Sequence, residues 1–246
     1  MSSTLIGLLT GLLMLTQSPL QLAHAAGPTT VETNAVVFSN APSWLKASRI
    51  DHVVDGIQNV LEWDIRRIQA YYYVNAAEFE KVHGFGPLVL AVSRKEDSTV
   101  HVGPKVTATN FDGVFGHELV HVILFQKYNG AIPKWLEEGL ANYAAKKGPV
   151  DYAALARKGS LPDLHSLSHP FAGANPLASS SQTAALDHYQ LSRAAIEMIA
   201  SKCSLSELLQ LSVGKNLENF LGTFCGIEDV NASFKAWVKR KAKSKT

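Results

Sequence analysis

The pattern of apolar and polar residues divides the chain into two parts of different character. In the first part, short apolar or alternating runs predict strands, and stretches with helical spacing separate them. Two of these runs flank a charged segment at 94–98, which predicts a β-hairpin with a longer loop. The predicted strands are 35–38, 67–74, 88–93 and 99–103, and the predicted helices are 43–62 and 76–83.

The second part of the chain is predicted to be helical. From Asn110 to Asn129 the residues are apolar nearly all round, which predicts a buried helix whose few polar residues need partners. Thr109, Asn110 and Asp112 are all suitable N-caps, and Asn129 or Gly130 can end the helix in the left-handed conformation. Further helices are predicted at 134–147, 151–158, 184–201, 205–213, 217–225 and 230–242, with a loop at 159–181.

This order of elements predicts an α+β fold with a small sheet-bearing N-terminal lobe and a helical C-terminal lobe. The buried helix that begins near Asn110 is expected to lie between the two lobes. The sequence contains no internal repeat, so residues 26–246 are expected to form a single domain. The N-lobe then covers about 26–130 and the C-lobe about 131–246.

Residues 1–25 differ from the rest and are expected to be a signal peptide. The uncharged apolar run at 5–16 is shorter than the roughly 20 residues that span a bilayer, and Ala23-His24-Ala25 fits a small-residue cleavage pattern. The run is preceded by no Lys or Arg, which leaves an uncleaved membrane anchor as the alternative. We therefore expect an exported protein, periplasmic or extracellular. Cys203 and Cys225 agree with an oxidising compartment if they pair, and the alternative is two buried thiols.

The net charge of +2 conceals a basic C-terminal tail. Residues 235–246 contain six of the 23 basic side chains and no acidic one. This tail is either a solvated end or a contact with anionic lipid or cell-wall polymer. No groove-reading pattern accompanies it, so nucleic-acid binding is not expected. Membrane association is expected only through this tail or an uncleaved leader, and the oligomeric state is left open.

The strongest chemical signal is the sequence His117-Glu118-Leu119-Val120-His121 in the predicted buried helix. Positions four apart lie one turn apart on the same face of a helix, so His117 and His121 can bind one metal ion. Glu118 then lies beside the metal, where it can take the proton of an attacking water molecule. The alternative is an amphipathic helix that carries two surface histidines and no metal.

A catalytic zinc site needs a third protein ligand and an open fourth position. Glu138 follows His121 by 17 residues, a separation at which an antiparallel second helix returns its first turns to the metal. Glu137 is the competing ligand, about 100° around the helix from Glu138. Either side chain could instead be a solvated glutamate, which the helix dipole favours near an N-terminus.

The run from Gly116 to Tyr143 resembles the gluzincin zinc metallopeptidases, the clan of thermolysin and aminopeptidase N. The resemblance is greatest to the small secreted or periplasmic members of the peptidase MA-like family. Their pattern is H-E-x-x-H, a turn, and a helix of the form W-L-x-E-G-x-A, in which the glutamate before the glycine is the third ligand. The stretch from Trp135 to Ala141 matches that second helix.

The resemblance implies a zincin-like fold, Zn²⁺ as the cofactor and a role for each matching residue. Asn142, four residues after the ligand glutamate, stands where an acidic residue is common and is expected to orient a ligand histidine. The implied zinc ligands are His117, His121 and Glu138, and the implied general base is Glu118.

Two further expectations come from the same resemblance. The helix that opens at Asp187 resembles the Tyr-x-x-Ser helix of these small members, which implies that Tyr189 stabilises the oxyanion, with His188 behind it. The alternative for Tyr189 is a half-buried aromatic residue with its hydroxyl at the surface. In gluzincins, a strand before the site helix forms the edge along which a peptide lies, and residues 99–103 are expected to be that edge.

The expected function is hydrolysis of peptide bonds in a peptide or protein substrate by a zinc metallopeptidase. Metal-activated water attacks the carbonyl, and Glu118 acts as the general base. One alternative is hydrolysis of another amide, such as a cell-wall peptide. The other is a zinc-binding or scaffolding protein of the same fold without turnover, against which the presence of Glu118 beside both histidines argues.

Overall fold

The strands of the first part of the chain form one mixed sheet in the computed structural model, which describes residues 29–146, 148–167, 179–211 and 219–244. Within these residues the sheet has the strand order β1-β2-β3-β5-β4. The pairs β2–β3 and β3–β5 are parallel, whereas β1–β2 and β4–β5 are antiparallel. The predicted leader, residues 1–25, lies outside the described residues. The strands are β1 (Val31–Glu32), β2 (Val36–Ser39), β3 (Ile68–Tyr72), β4 (Ala91–Arg94) and β5 (Thr99–Val102).

The predicted hairpin forms, but its second strand is not the edge of the sheet. β4 and β5 pair antiparallel around a short 3-10 helix at Lys95–Asp97. β5 also pairs with β3, so the expectation that residues 99–103 form the edge is wrong. Parallel pairing requires a crossover, and the crossover after β3 places β5 beside it and leaves β4 outside. The strand of this hairpin that lies at an edge of the sheet is therefore β4.

Helices form most of the remaining structure, so the architecture is α+β, as expected from the sequence. Among the described residues, no helix is both long enough and apolar enough to cross a membrane. The helices are α1 (Ala47–Leu61), α2 (Ala76–His83), α3 (Phe111–Tyr128), α4 (Lys134–Ala144), α5 (Tyr152–Arg157), α6 (Ser179–Ala200), α7 (Leu205–Leu211), α8 (Asn219–Cys225) and α9 (Val230–Lys243).

Helix α6 differs most from its predicted bounds. It begins at Ser179 instead of residue 184, so part of the predicted loop is helical, while residues 168–178 of that loop lie outside the described residues. Residues 179–183 are mainly Ser, Gln and Thr, and Ser and Thr often form turns, which is why the sequence pattern indicated a loop. As a result, Tyr189 lies further from the start of the helix than the sequence predicted.

The sheet and α3 share one apolar core. Alternate residues of the central strands are fully buried on the same face, because side chains alternate across a strand. Helix α3 packs against β4 and β5, and also against α1 and α4. It therefore connects the sheet to the helical part of the chain. The fully buried strand residues are Val36, Phe38, Ala70, Val100 and Val102.

Helices α4 and α6 approach each other closely at Gly139. A β-carbon at this position would lie 2.4 Å from the carbonyl oxygen of Ser192 and 2.6 Å from Cγ1 of Ile196. A backbone oxygen cannot turn aside as the end of a flexible side chain can, so only glycine fits here. Gly139 therefore fixes the distance between the helix that carries Glu138 and the helix that carries Tyr189.

Replacement of Gly139 by Ala is expected to lower the free energy of unfolding by about 3 kcal/mol, because the added methyl group overpacks this contact. Urea unfolding followed by circular dichroism measures the change. The matched control is Gly56→Ala in α1, where nothing lies within 4 Å of the β-carbon position. That variant should gain about 0.8 kcal/mol from helix propensity. Equal stability of Gly139→Ala and wild type would contradict the close approach.

The two cysteines form a disulfide between Cys203 and Cys225, whose Cα atoms are 5.1 Å apart. The bond joins the segment after α6 to the end of α8, so the alternative of two buried thiols is wrong. A link that spans 22 residues lowers the conformational entropy of the unfolded chain. In the loop-entropy model, this stabilises the folded protein by about 3 kcal/mol. The disulfide therefore stabilises the segment that contains α7 and α8.

Candidate metal centre

Two histidines of α3 point towards the same place. His117 and His121 lie one turn apart and are only 3% and 6% exposed. Their Nε2 atoms are 3.1 Å apart, and their rings meet edge to face. Their burial excludes the alternative of two surface histidines on an amphipathic helix.

The first turns of α4 bring a buried carboxylate to these rings. Oε2 of Glu138 lies 3.5 Å from Nε2 of His117, and Oε1 lies 3.8 Å from Nε2 of His121. Glu138 is only 2% exposed, and burial of a charged carboxylate is costly unless cations or hydrogen bonds compensate it. α4 starts directly after Pro133, whose fixed φ suits the entrance to a helix.

These three side chains fit a metal ion. Their ligand atoms all lie within 4.8 Å of one another, and all three residues are buried. A tetrahedral ion with ligand bonds of about 2.0–2.1 Å separates its ligand atoms by about 3.3 Å, close to the 3.1 Å between the two Nε2 atoms. The nearest Glu138 oxygens lie 3.5 Å from His117 through Oε2 and 3.8 Å from His121 through Oε1. Oε2 of Glu138 is buried and accepts no hydrogen bond within the described residues. The His-His-Glu group can therefore hold a metal ion.

The sequence left Glu137 and Glu138 as competing ligands, and the structure gives them different partners. Oε1 of Glu137 lies 2.7 Å from Nδ1 of His121, on the opposite side of the ring from Nε2. A histidine that binds a metal commonly donates its other ring N–H to a carboxylate, which fixes the orientation of the ring. Glu137 therefore orients His121, while Glu138 faces the place where the two Nε2 atoms meet.

Asn142, which the resemblance implies orients a ligand histidine, lies on α4 four residues after Glu138. Its side chain is buried, and its Nδ2 atom has no hydrogen-bond partner in the described part of the chain. The carboxylate that orients His121 comes from the position directly before Glu138. A glutamate beside the third ligand was visible in the sequence, but its direction was not, because adjacent helical residues point about 100° apart.

Replacement of Glu137 by Gln is expected to weaken metal binding about tenfold. The amide oxygen can still accept the hydrogen bond of His121, but it lacks the charge that makes the imidazole a stronger ligand. Competition with a metal-binding dye measures the affinity. The control is Glu78→Gln, an exposed glutamate of α2, which should bind metal as the wild type does. An affinity equal to that of the wild type would show that Glu137 does not support His121.

Lys134 is a member of the centre that sequence reasoning missed. Its Nζ atom lies 3.0 Å from Oε1 of Glu138 and 3.2 Å from Oε1 of Glu137. The spacing of three and four residues along one helix was the signal that could have found it, because side chains at these positions are neighbours. The side chain is 27% exposed, so this cation stands between the buried carboxylates and the cleft.

The charges of the centre keep both glutamates ionised. Burial raises the pKa of Glu137, but the hydrogen bond and charge of His121, with the charge of Lys134, outweigh it and lower the pKa to about 2. Burial also raises the pKa of Glu138, yet the charges of His121, His117 and Lys134 hold it well below its usual value. Glu138 therefore offers a negatively charged oxygen, which a cation requires.

Glu118 and Tyr189 face the cleft beside the metal group. Glu118 is half-buried, and both residues line the two cavities that adjoin the histidines. The ring of Tyr189 meets the ring of His117 edge to face, with centroids 5.8 Å apart. Burial, followed by the charges of Glu138 and Glu118, raises the pKa of Tyr189. Its hydroxyl group therefore stays protonated and can donate a hydrogen bond.

His188, expected to lie behind Tyr189, is buried, and its Nδ1 atom is 3.4 Å from Oγ of Ser192. Its ring also meets the ring of Tyr189 edge to face, with centroids 6.1 Å apart. The structure thus brings the predicted residues of α3, α4 and α6 to one place.

No known protein-family model matches the chain, and no curated protein is significantly similar to it.

Proposed function

We propose that this protein is a zinc-dependent metallopeptidase of the gluzincin type with a zincin-like fold. The observation that carries the proposal is the buried group of His117, His121 and Glu138, with Glu118 in the cleft at its side. A metal site that serves only stability needs no base next to it. The neighbouring carboxylate is therefore the feature that favours an enzyme over a zinc-binding scaffold.

The donor set favours zinc over other common ions. Two imidazole nitrogens and one carboxylate oxygen match the three protein ligands of catalytic zinc sites. Calcium and magnesium prefer oxygen ligands throughout, which the two buried histidines do not offer. The three ligand atoms lie beside an open cleft, which leaves the fourth position for water or substrate.

In the proposed mechanism, the side chains of the protein transfer protons and hold other groups in place by hydrogen bonds. When bound, zinc supplies a Lewis acid that lowers the pKa of water and polarises the substrate carbonyl group. The carboxylate of Glu118 accepts a proton from the attacking water and then delivers a proton to the leaving amine. Glu137 holds the ring of His121 in place through its hydrogen bond during these transfers.

Tyr189 is the proposed donor to the oxyanion that forms when the carbonyl is attacked. Its hydroxyl group is protonated because burial and the charges of Glu138 and Glu118 raise its pKa. The contact with the ring of His117 holds the tyrosine at the centre of the cleft. A donor fixed in this way stabilises charge that develops in the transition state, and so it acts on kcat.

Replacement of Tyr189 by Phe is expected to lower kcat about 100-fold with little change in KM, because one oxyanion donor is removed while the ring remains. Steady-state kinetics on a peptide substrate measures both constants. The comparison variant is Tyr143→Phe, which changes a tyrosine of α4 that lines neither cavity next to the histidines. An unchanged kcat would leave Tyr189 as a packing residue.

The proposed path of the substrate follows the edge strand β4. Residues of β4 line both cavities that adjoin the histidines. An edge strand has free backbone N–H and C=O groups with which an extended peptide can pair. Pairing of this kind places a peptide bond across the metal group without a requirement for one particular side chain.

We also propose that the enzyme acts outside the cytoplasm, either in the periplasm or outside the cell. The disulfide between Cys203 and Cys225 supports this proposal, because such bonds persist mainly in oxidising compartments. An export reporter fused behind residues 1–28 tests it: transport of the reporter supports a leader, and retention in the cytoplasm contradicts one.

The test of the proposed function combines elemental analysis with hydrolysis of a quenched peptide library. The expected result is about one zinc ion per chain and cleavage that a chelator abolishes and added zinc restores. Cleavage that survives complete metal removal would contradict the mechanism. Zinc binding without hydrolysis of any peptide would favour the zinc-binding scaffold, whereas release of amines from cell-wall peptides alone would favour the other amide hydrolase.

A further inference from the structure

The cleft has two ends of opposite chemical character. One cavity has a volume of about 290 Å³ and the other about 230 Å³, and both include His117, Glu118 and Tyr189 in their walls. In the edge strand β4, Ala91 lines both cavities, whereas Val92 and Ser93 line only the second. A chain that lies along β4 would therefore pass from one chemical environment to another at the metal group.

The larger cavity is apolar away from the metal group. Its wall is made by aliphatic side chains of three elements, and the polar groups in it are those of the site itself. Leu186, at this end, is 65% exposed, although a large apolar side chain gains by burial. The aliphatic wall residues are Leu88, Val89, Leu90, Val114 and Leu186.

The smaller cavity carries two lysines. Lys134 reaches it from the first turn of α4, and Lys95 reaches it from the residue directly after β4. Lys134 has carboxylate partners in Glu137 and Glu138, whereas Lys95 forms no ion pair within the described residues. Nζ of Lys95 lies 5.4 Å from the ring centre of Phe125, a contact that leaves its N–H groups for a ligand.

The charge balance of this end depends on the metal. Glu118, Glu137 and Glu138 face the same cavity, so the lysines compensate only two of three negative charges. A bound dication makes the balance positive, while Lys95 still forms no ion pair in the described part of the chain. Phe85, at the rim, is 40% exposed and supplies an apolar side to this end. An anionic group of moderate size is the ligand that fits such a cavity.

We infer that the cleft selects a peptide with an apolar side chain on one side of the bond at the metal group and an acidic side chain on the other. This inference rests on the proposed function, because it assumes that a peptide lies across a metal-loaded site. The apolar side chain enters the larger cavity, and the carboxylate pairs with Lys95, supported by Lys134. Leu186 and Phe85 then become covered by the substrate.

Binding to an inactive form tests this inference separately from turnover. The probes are short fluorescent peptides with a central Leu-Glu or Glu-Leu pair, and the same peptides with Gln in place of Glu. The protein is the zinc-loaded Glu118→Gln variant, which should bind without cleavage. The peptide with Glu is expected to bind about fivefold more tightly in one of the two orders, the gain of a partly exposed ion pair. The order that binds more tightly, Leu-Glu or Glu-Leu, shows in which direction the peptide runs along β4.

Two further variants in the same background locate the preference. Lys95→Gln should reduce the ratio of affinities to about one, because it removes the unpaired cation. Arg94→Gln is the matched control: this neighbouring side chain is 58% exposed, pairs with Asp97 and lines neither cavity, so the ratio should stay fivefold. Equal binding of the Glu and Gln peptides, or a preference that persists in Lys95→Gln, would overturn the inference.

Failure of the inference and failure of the proposed function give different results. If the wild-type enzyme cleaves peptides in a chelator-sensitive way but treats Glu and Gln alike, only the inference fails. If the Glu peptide binds preferentially but nothing is cleaved, the inference stands and the peptidase proposal fails. If neither peptide binds to the zinc-loaded protein, the inference fails regardless of any activity on other amides.

Discussion

Replacement of Glu118 by Gln is expected to reduce kcat about 1000-fold while the zinc content stays at its wild-type level. The amide has nearly the same shape as the carboxylate but cannot accept the proton of the attacking water, and general-base catalysis of this kind contributes about 100- to 10,000-fold. Glu118 faces the cleft and is not part of the group that can hold the metal. This variant should therefore lose activity but keep its metal.

The measurement is kcat on a cleaved peptide together with elemental analysis of the same preparation. Glu96→Gln serves as the control, because this glutamate is exposed and lines neither cavity, so its kcat should equal that of the wild type. Loss of zinc together with activity would make Glu118 a ligand or a structural residue. Undiminished kcat with intact zinc would remove it as the base.

Replacement of Glu138 by Gln is expected to weaken zinc binding about 1000-fold, a larger loss than the roughly tenfold expected for Glu137→Gln. An orienting carboxylate typically contributes about 10- to 100-fold in metal affinity, and a direct ligand contributes more because its charge faces the ion. Glu138 is 2% exposed and reaches both histidines, whereas Glu137 reaches only His121. The order of the two effects therefore tests which glutamate binds the metal.

Dye competition on the two variants gives this order directly, and both should retain the circular dichroism of the wild type. Glu137→Gln is the matched control, because it removes the same charge one residue away. Glu137, like Glu138, also contacts Lys134. A greater loss of affinity in Glu137→Gln than in Glu138→Gln would reverse the assignment of ligand and orienting residue.

The sequence predicted those parts of the site that depend on spacing within one helix. His117 and His121 are related by a single turn, so a helix alone brings their rings together wherever it lies in the fold. A second helix that returns to the first predicted a glutamate near the histidines, but the spacing alone left Glu137 and Glu138 as competing ligands. The C-terminal end of α3 followed from local chemistry as well, since Asn129 ends the helix in the left-handed conformation.

The sequence could not predict features that depend on how elements meet. Which strand of the hairpin joins β3 is decided by the crossover and packing, not by the alternation of residues, so the edge was assigned to the wrong strand. The partner of His121 depended on the rotation of α4 about its axis, which separates Glu137 from Glu138. The start of α6 was missed because the polar residues at 179–183 carry no apolar periodicity.

The ion pairs of Lys134 have a consequence for how a metal enters the centre. Before any metal arrives, the ammonium group 3.0 Å from Oε1 of Glu138 already balances this buried charge, so the fold can close without the ion. A metal ion that binds then meets a glutamate with a cationic partner at Oε1 and with no hydrogen bond to Oε2 in the described part of the chain. Folding and metal acquisition can therefore take place at different times.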